Sequence, residues 1–534
     1  MNTKRIYSLC FLLLITLAGC IDFDELNTDP DNPTDLDPDL LIPTIQFYPG
    51  AEWQEQQRYF IYPGGFMNQW TGAYAIVEYG GCGQQHNNYQ ERLWTTYYPE
   101  GINYATDVIQ RTRNTPDKIN LYSMARILRV QLALRLTDYY GDIPYSEAGL
   151  GYYDNNLKPQ YDTQESIYHD FLKELKEAGA AFDASYPSSQ YDLFYNGDLD
   201  KWRKYANSLR LRIAMRLVKV EPETARQEAE DAVHCGVFTS NEDICLIKYE
   251  NVQNSSFGKG KGNGIANYLY GNVTANGSEI WLTTELIKLL EDSEDPRLLL
   301  YSGVFLNDDA RTEVTSLVRA KRSSYAAMAT PAQRYNYSAN PDYPNDNGAV
   351  KITVGGKEQE LALKNARLRP SKYLTAFDSP YIYISYAEVE FLIAEAAARK
   401  WDVNGDAQSH YNKAIAAAIK QWELFGATVT DNQVNTYLTK NPFDIDNAIE
   451  QINTQLWIHH ILDPMETWAN WRRSGYPKLI FHNYEPGKNQ SNGTFPRRMI
   501  YPIDEQLKNS ANYREAVSRI GEDNWTKRVW WDKE

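Results

Sequence analysis

Cysteine is scarce: 534 residues carry only 5, too few for a disulfide framework. Basic residues are in deficit, with 54 Lys plus Arg against 70 Asp plus Glu and a formal charge of -16. That balance sets the chain against nucleic-acid phosphates and anionic membrane surfaces. No segment after residue 20 has 18 consecutive apolar residues, so the body contains no stretch that reads as a transmembrane helix. Catalytic signatures are missing as well. His459-His460 is followed by Ile461-Leu462-Asp463, not by the spaced histidines and glutamate of a zinc protease, and no Gly-x-Ser-x-Gly occurs. The His pair reads as structural. Gly258 to Gly264 alternates glycine with lysine but lacks the Lys-Ser/Thr ending of a phosphate loop. In Asp402-Val403-Asn404-Gly405-Asp406 the glycine comes too early for a calcium loop, so the run reads as a turn between helices. The expectation is no enzymatic activity, no cofactor and no metal.

What is present is a folded, ring-rich body. Hydrophobic residues make up 43% and charged residues 23%, far from the regime of disordered chains. The length allows two to four domains or one multi-lobed unit. The 40 tyrosines outnumber 17 Phe and 13 Trp together; Tyr and Trp join a flat apolar face to a polar handle.

The first residues read as an address. Lys4 and Arg5 precede an apolar run, Leu9 to Leu17, broken only by Thr16 and too short to span a bilayer. It ends in Leu17-Ala18-Gly19-Cys20, which resembles a bacterial lipobox, where cleavage precedes a cysteine that is then diacylated. Residues 1–19 are therefore expected to be a signal peptide, with Cys20 the lipidation site. Residues 20–45 read as an acidic tether: Asp22, Asp24, Glu25, Asp29, Asp31, Asp35, Asp37 and Asp39 alternate with Pro30, Pro33 and Pro38, so like charges and stiff prolines keep it extended. Acidic residues just after such a cysteine resemble the signal that sends some Gram-negative lipoproteins to the outer face. Cys235 and Cys245 are a possible bridge in an oxidising compartment.

The body, residues 46–534, reads as paired helices over about 100–235 and 380–475. Leu128, Leu132, Leu136 and Tyr139 have helical spacing up to Gly141, with Arg126, Arg129 and Arg135 on other faces. The partner run after Pro159 carries Ile167, Phe171, Leu172 and Leu175. Trp202 to Val218 pairs with Glu223 to Cys235, and Ile384 to Lys400 pairs with Asp406 to Phe425. Ala225, Ala229 and Ala232 repeat the spacing of Ala407, Tyr411 and Ala414, the small-residue pattern of the second helix in tetratricopeptide repeats. Residues 236–380 read as an irregular lobe with a hairpin at Val350, Ile352 and Val354 before Gly355-Gly356. A second irregular stretch, Pro63 to Tyr98, gathers Trp70, Tyr74, Tyr79, Trp94, Tyr97 and Tyr98 around a glycine- and amide-rich run. Long loops in compact domains are uncommon unless functional.

The order of short segments resembles a known family. FDELNTDPD from Phe23, YGDIPYSEA from Tyr140, WRKYANSLRLRIAMR from Trp202 and Asp295-Pro296-Arg297-Leu298 are followed by Tyr386 to Phe391, by ETWANWRRSGYP from Glu466, and by Pro496 to Tyr513. This succession behind a lipobox is similar to SusD/RagB nutrient-binding outer-membrane lipoproteins and covers essentially the whole mature chain. The resemblance implies a mostly α-helical fold of tetratricopeptide-like helix pairs decorated with long loops and small β-hairpins. It further implies a lipid-anchored, surface-exposed receptor that captures oligosaccharides, or peptides in some branches, for a TonB-dependent, SusC-like transporter. Arg472-Arg473 then reads as a helix C-terminal charge pair or as a contact to that transporter.

The resemblance carries over no binding residue, so the residues themselves supply the site. A sugar offers C–H patches to aromatic faces and hydroxyls to amides. Trp70, Tyr74, Trp94 and Tyr98 with Gln84, Gln85, Asn87 and Asn88 match both needs, and so do Tyr268, Tyr270, Asn272 and Trp281. A few rings and hydrogen bonds at ~1 kcal/mol each only partly outweigh an association cost of ~4–15 kcal/mol, so micromolar to millimolar binding is expected. Two other classes fit the composition: an all-α glycosidase, which would turn glycan over, and a structural adaptor, which would bind no small ligand.

Overall fold

The structure, a computed structural model, describes residues 36–51, 59–72, 76–254, 260–274, 280–303, 349–354, 356–362, 369–481 and 487–534. The signal peptide, Cys20, the tether up to residue 35, Tyr74, and the side chains of Asn272 and Trp281 lie outside the described residues, as does Gly258.

The chain is mostly α-helical, and its long helices pack as consecutive antiparallel-type pairs. α1 (Asn103–Thr112) packs on α2 (Ile119–Tyr140), α2 on α3 (Gln164–Ala181), α3 on α4 (Leu199–Arg216), and α4 on α5 (Pro222–Cys235). In the C-terminal half α6 (Tyr386–Ala398) packs on α7 (Ala407–Lys420), and α8 (Ala448–His459) lies against both α6 and α9 (Pro464–Ser474). The alanine pattern does what its spacing predicts. Ala225, Ala229 and Ala232 of α5, and Tyr411 and Ala414 of α7, are buried without residual exposure, so helix backbones approach closely. Helix starts are written in short polar side chains. Thr163, Asp198, Ser385 and Asp406 each accept a hydrogen bond from the first turn of the helix that follows. The Asp406 cap is the end of the Asp402–Asp406 run, which is thus a turn between helices. The Ser385 cap also leaves Ile384, expected in that helix, to the short strand Tyr381–Ile384 instead.

Strand is sparse. β1 (Trp70–Gly72) pairs with β3 (Ile280–Leu282), β2 (Cys245–Ile247) with β8 (Tyr381–Ile384), and β4 (Ser302–Gly303) with β7 (Arg369–Pro370). β5 (Ala349–Val354) and β6 (Lys357–Ala362) form the expected hairpin, with Val354 opposite Lys357. Among the described residues each of these pairings is antiparallel.

Two expectations change. The stretch from Pro63 to Tyr98 is not loop throughout. It holds short helical segments at Phe60–Gly64, Ile76–Gly81, Asn87–Gln90 and Arg92–Tyr97. Two of the arginines on the other faces of α2, Arg126 and Arg135, are buried. Arg126 donates to both carboxylate oxygens of Glu174, and Arg135 reaches Asp463 of the C-terminal half. Arg212 on α4 pairs with Glu388 on α6 at 2.5 Å, and Arg216 with Glu466 on α9 at 2.5 Å. Buried charge is tolerated when paired and hydrogen-bonded, and these pairs tie the two helical halves together. Arg472 and Arg473 are each 1% exposed. Arg472 lies over Trp468, 3.8 Å from the ring centroid, and Arg473 pairs with Glu395 at 2.7 Å. Neither reaches the surface, which removes them as a transporter contact.

Cys235 and Cys245 are not bridged. Cys235 is exposed at the end of α5, whereas Cys245 is buried in β2.

Candidate ligand-binding surface

The two stretches that sequence singles out meet in space. The β1–β3 ladder sets Trp70 opposite Leu282 and Thr71 opposite Trp281, so residues more than two hundred positions apart share one small sheet. Behind it, the Tyr268 ring packs on Phe60 at 5.6 Å, and Phe60 packs on Trp70 at 5.1 Å. Trp70 also donates through Nε1 to the Ile461 carbonyl at 3.0 Å. Trp70 and Tyr268 are each 1% exposed. Both are core residues, because neither ring leaves a face for a sugar; their assignment as ligand contacts is corrected. Tyr270 is half-buried and edge-on to Phe377 at 5.0 Å. Trp94 is buried against Tyr140, at 5.2 Å, and Tyr98, at 4.8 Å, and both Trp94 and Tyr98 line a different hollow.

The surface that remains is built on residues 79–90. Its backbone is held by close approach. A Cβ on Gly80 would stand 1.9 Å from the Ile61 carbonyl oxygen, and Gly83, at φ +66°, would meet Asn489 Nδ2 at 2.3 Å; only glycine fits either position. The C-terminal segment clamps the turn. Gln490 N donates to the Gly83 carbonyl at 2.8 Å, Asn489 Nδ2 to the Cys82 carbonyl at 3.1 Å, and Gln85 N to Gln490 Oε1 at 2.5 Å. From below, the Tyr62 hydroxyl accepts from His86 N at 2.8 Å. Burial raises the Tyr62 phenol well above its usual range, against the lowering effect of its backbone bond at His86, so it stays protonated.

On this frame three rings cluster. His86 stacks on Tyr89 with centroids 4.2 Å apart and planes 23° from parallel. Tyr79 stands edge-on to both, at 5.0 Å from His86 and 5.3 Å from Tyr89. All three are half-buried, and Asn87 and Asn88 between them are exposed. Gln84 Oε1 and His86 Nδ1 are buried without a hydrogen-bond partner among the described residues, an arrangement that costs ~1–3 kcal/mol per group unless a partner arrives. Apolar ring faces, two exposed amides and two unmet polar atoms thus occupy one short segment. Gln84, Asn87 and Asn88, proposed from sequence as ligand contacts, lie in this segment, Gln84 half-buried and the two asparagines exposed. His86 and Tyr89 were missed, although their i, i+3 spacing across the short helix Asn87–Gln90 was available as a signal. Burial, and then the nearby Tyr89, raise the Tyr268 phenol well above its usual range.

The structural reading of the His pair agrees with its surroundings. His459 Nε2 lies 2.7 Å from Ser385 Oγ and His460 Nε2 3.2 Å from Glu388 Oε2; burial, then His460, holds the His459 pKa well below its usual value. Among the described residues no group of three or more His, Cys, Asp or Glu side chains is placed to hold a metal. No described helix is long and apolar enough to cross a membrane.

Comparison with known proteins accords with this architecture. Residues 53–502 match a SusD-like family model described as starch-binding, associating with outer membrane. A chitin-binding protein of known structure is 33% identical, with a TM-score of 0.77 over 93% of this chain and 100% of its own. A Bacteroidetes AC2a SusD-like structure is 31% identical, with a TM-score of 0.81 over 93% and 100%. A SusD homologue from Bacteroides uniformis ATCC 8492, 24% identical, shares the fold at a TM-score of 0.71 over 93% and 98%. No curated protein matches. With a family model spanning most of its length and relatives above 30% identity covering nearly all of it, the chain belongs to the SusD-like family.

Proposed function

We propose that this protein is a non-catalytic glycan receptor of the cell surface. In this reading it is anchored through acylated Cys20 on an acidic tether and passes oligosaccharide to a TonB-dependent, SusC-like transporter in the outer membrane. The observation that carries it is the segment 79–90: a stacked His86–Tyr89 pair with Tyr79 beside it and exposed Asn87 and Asn88. Aromatic faces take sugar C–H patches and amides take hydroxyls. A chitin-binding relative at 33% identity makes β-linked N-acetylglucosamine oligomers the first ligands to test. Tyr74, Tyr270, Asn272 and Trp281 flank the same β1–β3 junction in sequence and are proposed as further contacts. Weak capture suits handover, since a nanomolar complex would release its ligand slowly.

The non-catalytic reading is supported by what the interior carboxylates do. Glu388, Glu395 and Glu466 are each held by arginine, which leaves them unsuited to act as paired acid and base. The test is calorimetric titration of chitin, starch and peptide fragments against wild type and Asn88→Ala, with the ligand analysed afterwards for cleavage. Micromolar to millimolar glycan binding, weakened in the variant, with ligand recovered intact, is expected. Turnover of the ligand would replace the receptor by a glycosidase, and no small-ligand binding would leave an adaptor. Membrane fractionation of Cys20→Ala, which should release the protein, tests the anchor.

A further inference from the structure

Trp94 and Tyr98 line a hollow of about 640 Å³ to which none of residues 79–90 contributes. That volume falls within the ~300–1,000 Å³ typical of small-molecule sites. Tyr104, Tyr152 and Tyr153 complete its aromatic walls. Tyr152 is 89% exposed and stands edge-on to Tyr153, with centroids 5.3 Å apart and planes at 89°. A large ring held in the open, at a concave wall, gains nothing from the fold and is placed to stack on a ligand.

The charges are unbalanced. Asp107, Glu147 and Glu505 line the hollow against one guanidinium, Arg111, and that group lies 3.5 Å from Asp107 and donates to the Leu36 carbonyl at 2.5 Å. The carboxylates are fixed in place from one side. Glu147 Oε2 accepts from Asn156 Nδ2 at 2.7 Å and from Gln160 N at 2.9 Å. Glu505 Oε2 accepts from the Tyr161 hydroxyl at 2.8 Å and from Asn509 Nδ2 at 3.3 Å. Among the described residues the Oε1 atom of each has no such partner. Tyr153 donates to Asp107 Oδ1 at 2.5 Å. Burial and that carboxylate push its phenol up to about 12, so Tyr153 adds no charge to a wall of three acids and one guanidinium.

We infer that this hollow is a second, independent binding site for a short cationic amino sugar, a glucosamine oligomer, stacked on Tyr152 with its protonated amine drawn to Glu147 and Glu505. A neutral or N-acetylated sugar offers the rings the same faces but leaves the carboxylates without a counter-charge. Leu36 lines the hollow, and the acidic sequence that precedes it, with Asp29, Asp31 and Asp35, has the wrong sign of charge for an occupant of an acidic site.

Titration of the full chain with glucosamine trimer and with its N-acetylated counterpart at pH 6 and low salt tests the assignment. The glucosamine trimer is expected to bind about tenfold tighter, with the preference shrinking as salt screens the exposed charges. Glu147→Gln should reduce that preference about fivefold, and Tyr152→Ala should weaken glucosamine binding by a similar factor. Both positions are at the surface, and thermal melts confirm that the variants fold. Equal affinity for the two trimers, or an unchanged preference in Glu147→Gln, would overturn the proposal. Binding of neither trimer, with hydrogen-exchange protection over residues 29–36, would give the hollow to the tether instead and overturn it equally.

Discussion

Arg212 and Glu388 meet through two hydrogen bonds, Nε to Oε1 at 2.5 Å and Nη2 to Oε2 at 2.6 Å, with both side chains buried. They join α4 to α6, helices from opposite halves of the chain. His460 adds a contact to the same carboxylate at 3.2 Å. Burial alone would raise the Glu388 pKa, but Arg212 and His460 hold it far below the usual carboxylate range. The ion pair is therefore the permanent state of this joint, and its two members depend on one another.

Removing one member should be far worse than removing both. Glu388→Ala leaves buried Arg212 without its bidentate partner and with only Glu466, 3.8 Å away and already held by Arg216, and a loss of about 3–5 kcal/mol is expected. The double replacement Arg212→Met with Glu388→Leu should recover much of that. Urea denaturation of the two single variants and the double variant gives the coupling directly; additive losses would show that the pair does not act as a unit.

The second joint makes the fold acid-sensitive. Glu395 is fully buried, and although burial raises its pKa, Arg473 and then Arg399 pull it down to about 2. In the unfolded chain it returns to an ordinary glutamate value. A carboxyl with a depressed native pKa contributes stability above its unfolded pKa and loses it as pH falls toward the native one. That shift corresponds to about 3 kcal/mol, present at neutrality and lost between roughly pH 4.5 and 2. Urea midpoints measured from pH 7 down to 2.5 should fall over that window. In Glu395→Gln the midpoint should be lower at pH 7 and the slope flatter, because the titrating group is gone.

How far these features could be read in advance follows from where their information lies. Helix pairing is local, so Ala225, Ala229 and Ala232 declared α5 by spacing, and Val350, Ile352 and Val354 declared a hairpin. The buried arginines were not legible, because Arg216 finds Glu466 250 positions away and a lone arginine on a helix has the pattern of a solvated face. Rings are harder still. Trp70, Trp94 and Tyr268 have the composition of a sugar platform, but whether a ring is sheathed depends on Phe60, Ile461 and Tyr140 arriving from elsewhere. The exposure of Asn87 and Asn88 is easier to read, because a polar residue on a short surface helix has little reason to turn in.

That division separates two variants that composition would equate. Trp70→Ala removes a core ring and its bond to the Ile461 carbonyl and should cost about 3–5 kcal/mol of stability. Tyr89→Ala removes a half-buried ring from the His86 stack. It should leave the thermal midpoint close to wild type and weaken glycan binding about fivefold, the equivalent of ~1 kcal/mol of stacking. Melting curves and titrations of both variants check the contrast. A stable Trp70→Ala with lost binding would return Trp70 to the ligand surface.

The frame beneath that surface has its own signature. At Gly80 a methyl group would overlap the Ile61 carbonyl oxygen at 1.9 Å, and the obstacle is backbone, which cannot rotate away as a side chain can. Gly80→Ala must therefore shift the Phe60–Gly64 and Ile76–Gly81 segments apart, and with them Tyr62, whose hydroxyl holds His86. A combined loss of stability and affinity is expected, the former about 1–3 kcal/mol. Adding ligand in excess should restore part of the midpoint, since binding favours the ordered segment; a variant indistinguishable from wild type in both measurements would mean that the crossing at Gly80 is not required.

Cysteine chemistry offers a test that needs no ligand. Cys235 is exposed where α5 ends, whereas Cys245 is buried in β2. Burial pushes the Cys245 thiol well up, against the lowering effect of the neighbouring Tyr195 and Tyr205 hydroxyls. Alkylation requires the thiolate and access to it, and Cys245 has neither. Under non-reducing conditions a maleimide should label Cys235 in the folded protein, and label Cys245 only after denaturation. Peptide mapping after digestion distinguishes the two. Recovery of a Cys235–Cys245 linked peptide instead would mean that β2 moves far enough to bring its buried sulfur to the surface, which the pairing of Cys245 with Ile384 opposes.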